Sequence, residues 1–547
     1  MKSPTAKLFL VLAILLQAVP LKAQVISPPT TPASTPTAAS TTPQPATVHE
    51  VAPGPYKPTW ESLEAGYQVP EWFRNAKFGI WAHWTAQCVP EQGDWYARNM
   101  YEQLDKNGKP GAIYEFHVKT YGHPSKFGFK DIDNLWHAEN WDPDKLMALY
   151  KAAGAHYFVA LANHHDNLDM WDSKYQPWNS VNVGPHKDIV GIWAKAARKA
   201  GLPFGVTVHA ARTWSWFNVS HGADSVGPLA GVPYDGNLTK ADGKGLWWDG
   251  LDPQDLYCRP HDDKDKPDDA YVTKFFNRTK DLVDKYHPDL LYFDDTGLDT
   301  VHLEIVADYY NESLKWNDGK MNVVVNTKNL QPAQRKGAVN DFERGAANEI
   351  QPDAWQSETC IGNWHYSAAI FAKHQYKTAV TVEQTLCNVV SKNGSFLLNI
   401  PLKGDGTPDS DEVQVLQDLA GWMPINGEGI FDTRPWKIYG ESSPESNVAS
   451  GMFNEGKIKY TSQDIRYTSK GDNLLYAFFL VWPEGGSATI KTLGKGVGSP
   501  LDKSIDSIKL LGSDEPIKWT QDENGLHLTL PAKTPVPGPA ALKIALK

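Results

Sequence analysis

The sequence predicts an α/β fold: a closed (β/α)8 TIM-like catalytic barrel followed by a C-terminal antiparallel β-sandwich. Three observations carry that prediction. Between residues 70 and 435, short β-rich apolar runs alternate with longer helical patterns, as a parallel sheet wound from strand-helix units requires. Eight such runs can be read, the number that closes a barrel. After residue 436 the helical patterns stop and only short alternating strands remain.

The eight strands are expected at 78–84 (FGIWAHW), 156–163 (HYFVALAN), 204–209 (FGVTVH), 289–294 (DLLYFD), 322–326 (NVVVN), 338–343 (AVNDFE), 355–359 (WQSET) and 395–400 (SFLLNI). Helices fit the gaps. DPDKLMALYKAAGA opens on an Asp cap and closes on a glycine, KDIVGIWAKAARKAGL repeats that grammar, and DDAYVTKFFNRTKDLVDKYHP precedes the fourth strand. Around the fifth and sixth strands the helical pattern weakens, and QPAQRKG is too short for a full helix. The C-terminal strands include NLLYAFFLVWP, SIDSIKLLG, IKWTQDENGLHLTLP and ALKIALK.

At 547 residues the chain exceeds what one core normally serves. Lys2 and Lys7, the apolar LFLVLAILL and the LKAQ that follows read as a signal peptide over residues 1–23, so a secreted or periplasmic location is expected. Residues 24–55 are Pro, Thr, Ala and Ser with almost no large apolar side chain, which predicts a disordered linker. The catalytic domain is expected over 56–436 and the sandwich over 437–547. A net charge of −11 without a basic run argues against nucleic acid, and no later stretch is apolar enough for an integral membrane segment. Oligomeric state leaves no trace in the sequence. Cys88, Cys258, Cys360 and Cys387 are too widely spaced for a disulfide framework or a C-x-x-C metal site and read as core thiols, with room for one disulfide.

Polar residues collect where each apolar strand ends: His83, His164 with His165 and Asp166, His209, Asp294 with Asp295, Asn326, Asp341 with Glu343, and Glu358. In a barrel these ends form the catalytic face. One polar strand end is ordinary; repetition on most strands is not. Three chemistries compete. A metal hydrolase is disfavoured, because adjacent His164 and His165 point to opposite faces of a strand and His83 has no H-x-H partner. Glycoside hydrolysis needs one carboxylate and one carboxylic acid, which separate strands can supply. Asp294 follows the most apolar strand, a rigid and desolvated setting that suits a nucleophile, whereas Asp295 should point elsewhere. The acid must come later in the chain, and Glu343 in VNDFERG and Glu349 in ANEI are the near candidates. Imidazoles would hold sugar hydroxyls, and some of the 21 tryptophans would cover apolar sugar faces. A catalytically inactive carbohydrate-binding barrel is the alternative, disfavoured by carboxylates at both positions.

The same residues resemble glycoside hydrolase family 29, the α-L-fucosidases, through most of the chain. The resemblance runs from EWFRNAKFGIWAHWTAQCVPEQGDWYARNMY (71–101) through NHHDNLDMWDSKY (163–175) and HPDLLYFDD to VVSKNGSFLLNIPLKGDGT (389–407) and GWMPINGEGIFDTRPW (421–436). It implies a retaining double displacement on terminal α-L-fucosyl residues of oligosaccharides or glycoconjugates, with Asp294 as nucleophile and no cofactor or metal. By the same resemblance His83, Trp84, Asp94, Trp95, His164, His165, His209 and Tyr292 would bind substrate. The chain departs from the family at Tyr292, often a Trp, at His209, where many relatives have a tyrosine, and around the acid/base, where it resembles a subset carrying an ERG element, which implies Glu343 as acid/base with Glu349 as runner-up and Glu358 still open.

Overall fold

The computed structural model describes residues 49–295 and 297–547. The signal peptide and the linker as far as residue 48 lie outside the described residues. Residues 49–55, which composition assigns to the disordered linker, are instead fixed on the barrel: His49 Nδ1 lies 2.6 Å from Glu304 Oε2, and the Ala52 N–H donates to Asp308 Oδ1 at 2.8 Å. Composition misses this because the anchors are polar contacts to a helix 255 and 256 positions away in sequence.

Eight strands close a parallel barrel in sequence order: β1 (Phe78–Ala82), β2 (Tyr157–Asn163), β3 (Phe204–Val208), β4 (Leu290–Phe293), β5 (Val324–Lys328), β6 (Val339–Glu343), β7 (Trp355–Cys360) and β8 (Gly394–Asn399). Closure is direct, since Gly79 of β1 pairs with Tyr157 on one side and Leu397 of β8 on the other. Only glycine fits there: a Cβ on residue 79 would sit 2.4 Å from the Tyr157 ring. The helices form where caps demand them. Asp142 accepts from the Lys145 N–H to start Pro143–Ala152, Asp188 from Gly191 to start Ile189–Lys199, and Asp268 from Tyr271 to start Asp269–Tyr286. The irregular stretch is narrower than expected. A 17-residue helix, Thr300–Trp316, precedes β5, while only the 3-10 turn Gln334–Lys336 separates β5 from β6.

Alternation sorts the strand residues into two cores. Phe78, Ile80 and Ala82 face the helices. Trp81, Val159, Leu161, Leu290, Tyr292, Val324, Val339 and Leu397 fill the barrel interior, which the Phe73 and Ala76 side chains also join. Stepping two residues further along each strand places His83, Asn163, Asp294, Asn326, Asp341 and Asn399 above that apolar layer, so one register decides which side chains meet at the C-terminal face.

The C-terminal part pairs a five-stranded antiparallel sheet, in the order β13-β16-β11-β10-β9, with a three-stranded one, β12-β15-β14. Their ranges are β9 Arg434–Glu441, β10 Ile465–Lys470, β11 Leu474–Phe479, β12 Ser487–Ile490, β13 Ile505–Leu510, β14 Lys518–Asp522, β15 Gly525–Thr529 and β16 Ala540–Leu546. Both sheets share an apolar core containing Tyr467, Leu475, Leu526 and Leu542. The five-stranded sheet also joins the barrel's outer core through Tyr476, Phe478 and Leu480. Trp422 Nε1 donates to the Pro539 carbonyl at 2.7 Å, and Arg466 Nε to Asn388 Oδ1 at 2.8 Å. All four cysteines are buried free thiols, and burial pushes Cys88, Cys258 and Cys360 up to about 12. Among the described residues no helix is long and apolar enough to cross a membrane.

Candidate active site

The strand ends open into a cavity of roughly 260 Å3 lined by His83, Asp94, Trp95, His164, His165, His209, Asp294 and Glu343. Each reaches it for a local reason. His83 continues the inward phase of Trp81, and Asp294 that of Tyr292. Trp95 is turned outward by a left-handed backbone (φ 62°) and remains 45% exposed at the rim, while Asp94 Oδ1 accepts from the His365 N–H at 2.8 Å.

The acidic centre is organised by a residue the sequence reading passed over. Lys328, last in β5, touches Asp294 Oδ1, lies 2.7 Å from Glu343 Oε2 and 3.5 Å from Glu358 Oε1. Burial works against its charge, but Asp294, Glu358 and Glu343 outweigh it and hold the ammonium well above the usual lysine value. Beneath them the Tyr292 hydroxyl lies 3.0 Å from Asp341 Oδ2, 3.2 Å from Asp294 Oδ1 and 3.3 Å from Glu358 Oε1. Burial, ahead of every other cause, raises Asp341 to about 8 and Glu358 well above the carboxylate range. Both are buried beneath the contacts that Lys328 makes with Asp294 and Glu343.

The histidines supply the opposite wall. The Gln87 amide is oriented at both ends: Nε2 donates to Asp166 Oδ2 at 2.9 Å and Oε1 accepts from the Ala97 N–H at 3.3 Å. That amide N–H group also meets His164 Nδ1 at 2.9 Å, so Nδ1 must carry the lone pair and Nε2 the proton. His165 is the reverse, because its Nδ1 lies 2.8 Å from the His209 carbonyl and must donate, leaving Nε2 as an acceptor. Burial depresses His83, His164 and His209 well below the ordinary imidazole value and His165 to about 4, which keeps all of them neutral near neutral pH. His209 Nε2 lies 3.0 Å from Asp294 Oδ2 without hydrogen-bond geometry, and neither His83 ring nitrogen has a partner. A ligand with several hydroxyls answers such a set.

The trio His83, His164 and His209 also offers ring nitrogens within 4.8 Å of one another, a spacing that could hold a metal ion. The adjacency argument against metal applies to His164 with His165 but not to these three, which come from three strands. A tetrahedral zinc with bonds of about 2.0–2.1 Å would draw them closer than that limit.

A family model described as "Alpha-L-fucosidase" matches residues 44–428, and one described as "Alpha-L-fucosidase C-terminal domain" matches residues 459–547. The chain belongs to the α-L-fucosidase family. Rat tissue alpha-L-fucosidase is 28% identical over 498 residues, covering 89% of this chain and 90% of that one, and the human tissue enzyme is 27% identical over 508 residues, covering 90% and 92%. The crystal structure of Thermotoga maritima alpha-fucosidase, in complex with a mechanism-based inhibitor, is similar with a TM-score of 0.66 and 26% identity, covering 89% of this chain and 99% of that one. Membership makes the chain a glycoside hydrolase.

Against the family expectation, Trp84 is not in the cavity. Neighbours on a strand face opposite ways, and with His83 inward Trp84 packs on Trp136 and Trp141 and donates Nε1 to the Lys403 carbonyl at 2.9 Å. Tyr292 lies under the cavity as its floor, fully buried. Glu349 is exposed outside the cavity, and Glu358 is buried below it. Asp295, expected to point away, lines the wall with Arg212, because strand geometry ends at Phe293. Beyond Lys328, the sequence reading missed Arg212, Trp364, His365, Met452 and Phe453. A basic residue two positions after Asn326 in the inward phase was the available signal for Lys328. Nothing local marks Met452 and Phe453, which arrive from the connection between β9 and β10.

Proposed function

We propose that this chain is a retaining, exo-acting α-L-fucosidase that removes terminal α-L-fucosyl residues from oligosaccharides or glycoconjugates. Asp294 is the nucleophile and Glu343 the acid/base. One observation carries the reading: a single ammonium, that of Lys328, touches both carboxylates. Two such contacts keep their nearest oxygens within about 5 Å, which favours the about 5–5.5 Å carboxyl spacing of retaining enzymes over the about 6.5–9.5 Å that leaves room for an attacking water. Asp294 attacks the anomeric carbon while Glu343 gives its proton to the departing oxygen. Glu343 then takes a proton from water, and that water displaces Asp294 with a second inversion. Lys328 pairs with Asp294, and the Tyr292 hydroxyl donates to Asp294 Oδ1 at 3.2 Å. His164 Nε2 donates to one sugar hydroxyl and His165 Nε2 accepts from another. The cavity, of roughly 260 Å3, suits a single terminal sugar. The 1–23 pattern makes the protein exported, with a mature N-terminus at Gln24; N-terminal sequencing of secreted material starting elsewhere would refute this.

The test is azide rescue on an activated fucoside. Asp294→Gly should lose most turnover and regain it with azide as β-fucosyl azide; Glu343→Gly should regain it as α-fucosyl azide. A Glu343→Gly enzyme as active as wild type, with Glu349→Gly dead, would overturn the acid/base assignment. A chain that binds fucose but releases no chromophore from a nitrophenyl fucoside would be an inactive carbohydrate-binding barrel.

A further inference from the structure

Beside the catalytic cavity lies a larger one, of roughly 690 Å3, between the barrel and the segment joining β9 to β10. The two share a wall. Phe453 and Arg344 belong to the larger cavity, and Phe453 with Glu343, the neighbour of Arg344, to the smaller one. The segment is pinned to the end of β6 by backbone hydrogen bonds, from Phe453 N–H to the Glu343 carbonyl at 2.8 Å and from Glu455 N–H to the Arg344 carbonyl at 3.0 Å. Phe453 is nonetheless 60% exposed, an apolar ring held in the open by a left-handed backbone (φ 53°).

We infer that the larger cavity is a binding site for the leaving saccharide, so that the natural substrate is an extended fucosylated oligosaccharide rather than a simple fucoside. This rests on the fucosidase reading given above. If Glu343 protonates the departing oxygen, the leaving sugar exits on the Glu343 side, and on that side the next surface is the Phe453 ring followed by the larger cavity. An exposed aromatic face stacks on the C–H face of a pyranose. Beyond it the lining suits neutral hydroxyls: Gln384 and Tyr460 stand beside a cluster in which Arg344 Nε and Lys377 Nζ each donate to Glu455 Oε1 at 2.8 Å. The 260 Å3 cavity falls below the roughly 300–1,000 Å3 of most ligand sites and suits one monosaccharide, whereas 690 Å3 takes more than one.

The experiment compares α-L-fucosyl fluoride, which has no leaving sugar, with a fucosyl disaccharide and a fucosylated pentasaccharide of the same linkage. Wild type should show kcat/KM about ten-fold higher on the pentasaccharide than on the disaccharide. Thr381→Trp, an exposed first-turn residue of helix Ala379–Val390 that lines only the larger cavity, should erase that increment and leave fluoride turnover within about two-fold. Phe453→Ala should lower the ratio of pentasaccharide to fluoride turnover by about ten-fold. A wild type indifferent to chain length, or a Thr381→Trp enzyme that keeps the increment, overturns the site. No turnover of the fluoride by wild type sinks the fucosidase reading itself.

Discussion

His164 and His165 stand side by side yet offer opposite hydrogen-bonding faces, and a different neighbour decides each. Gln87 fixes His164 as the Nε2–H tautomer, while the His209 carbonyl fixes His165 as the Nδ1–H tautomer. Gln87→Glu replaces the donor facing His164 Nδ1 by an acceptor and should move the proton onto Nδ1. A kcat/KM about ten-fold lower is expected, the scale of one well-placed hydrogen bond. Nitrogen chemical shifts of the histidine would report the tautomer change, and unchanged shifts would refute the assignment. Asp341 offers a second test at this scale. Its carboxyl, raised by burial from 3.8 to about 8, keeps its proton in the folded state over a window where the unfolded chain has released it. That contribution to stability is present at low pH and lost as pH rises through the window. The Tm of Asp341→Asn minus that of wild type should therefore increase between about pH 5 and about pH 8; a flat or falling difference would contradict a buried neutral acid.

At the scale of elements, the loop after β2 matters most, because it carries both histidines and leaves strand geometry within a few residues. It is locked from outside the barrel. Arg278, buried in helix Asp269–Tyr286, reaches Asp169 Oδ1 at 2.5 Å and Asn167 Oδ1 at 2.6 Å, and Asn163 Nδ2 donates to the same Asp169 oxygen at 3.0 Å. Removing the guanidinium strands a buried carboxylate. Arg278→Ala should cost about 3–5 kcal/mol in denaturant unfolding; a loss below about 1 kcal/mol would mean that the pair is not what holds the loop. The barrel's irregular side, where a 3-10 turn replaces a full helix between β5 and β6, is the side on which Lys328 and Glu343 enter the site.

For the whole molecule, the five-stranded sheet and the barrel share one apolar core through Tyr476, Phe478 and Leu480, and the connection that follows β9 completes the cavity with Met452 and Phe453. Folding of the two parts should therefore be coupled. Scanning calorimetry of residues 49–547 should give a single transition, and a chain ending at residue 433 should lose both that transition and fucoside turnover. Two well-separated transitions, or an active truncated chain, would show that the sandwich is an independent appendage.

Strand period and cap chemistry are local, so the sequence by itself determined the eight strands within about two residues, the capped helices and the change to antiparallel sheet. The same period of two, followed from the apolar run DLLYFDD, also placed Asp294 at a strand end. Tertiary structure alone decided what cannot be read from neighbours in the chain. It put Trp84 in the outer core, because the inward phase belongs to His83. It set Lys328 between Asp294 and Glu343, joined histidines from three strands, and left Glu349 outside the cavity. It also brought Phe453 to the site from beyond the barrel. Those outcomes depend on barrel closure and on a connection folding back over β6, contacts between residues tens to hundreds of positions apart; the local period of two supplies a phase for His83 and Lys328 but not which strand ends meet.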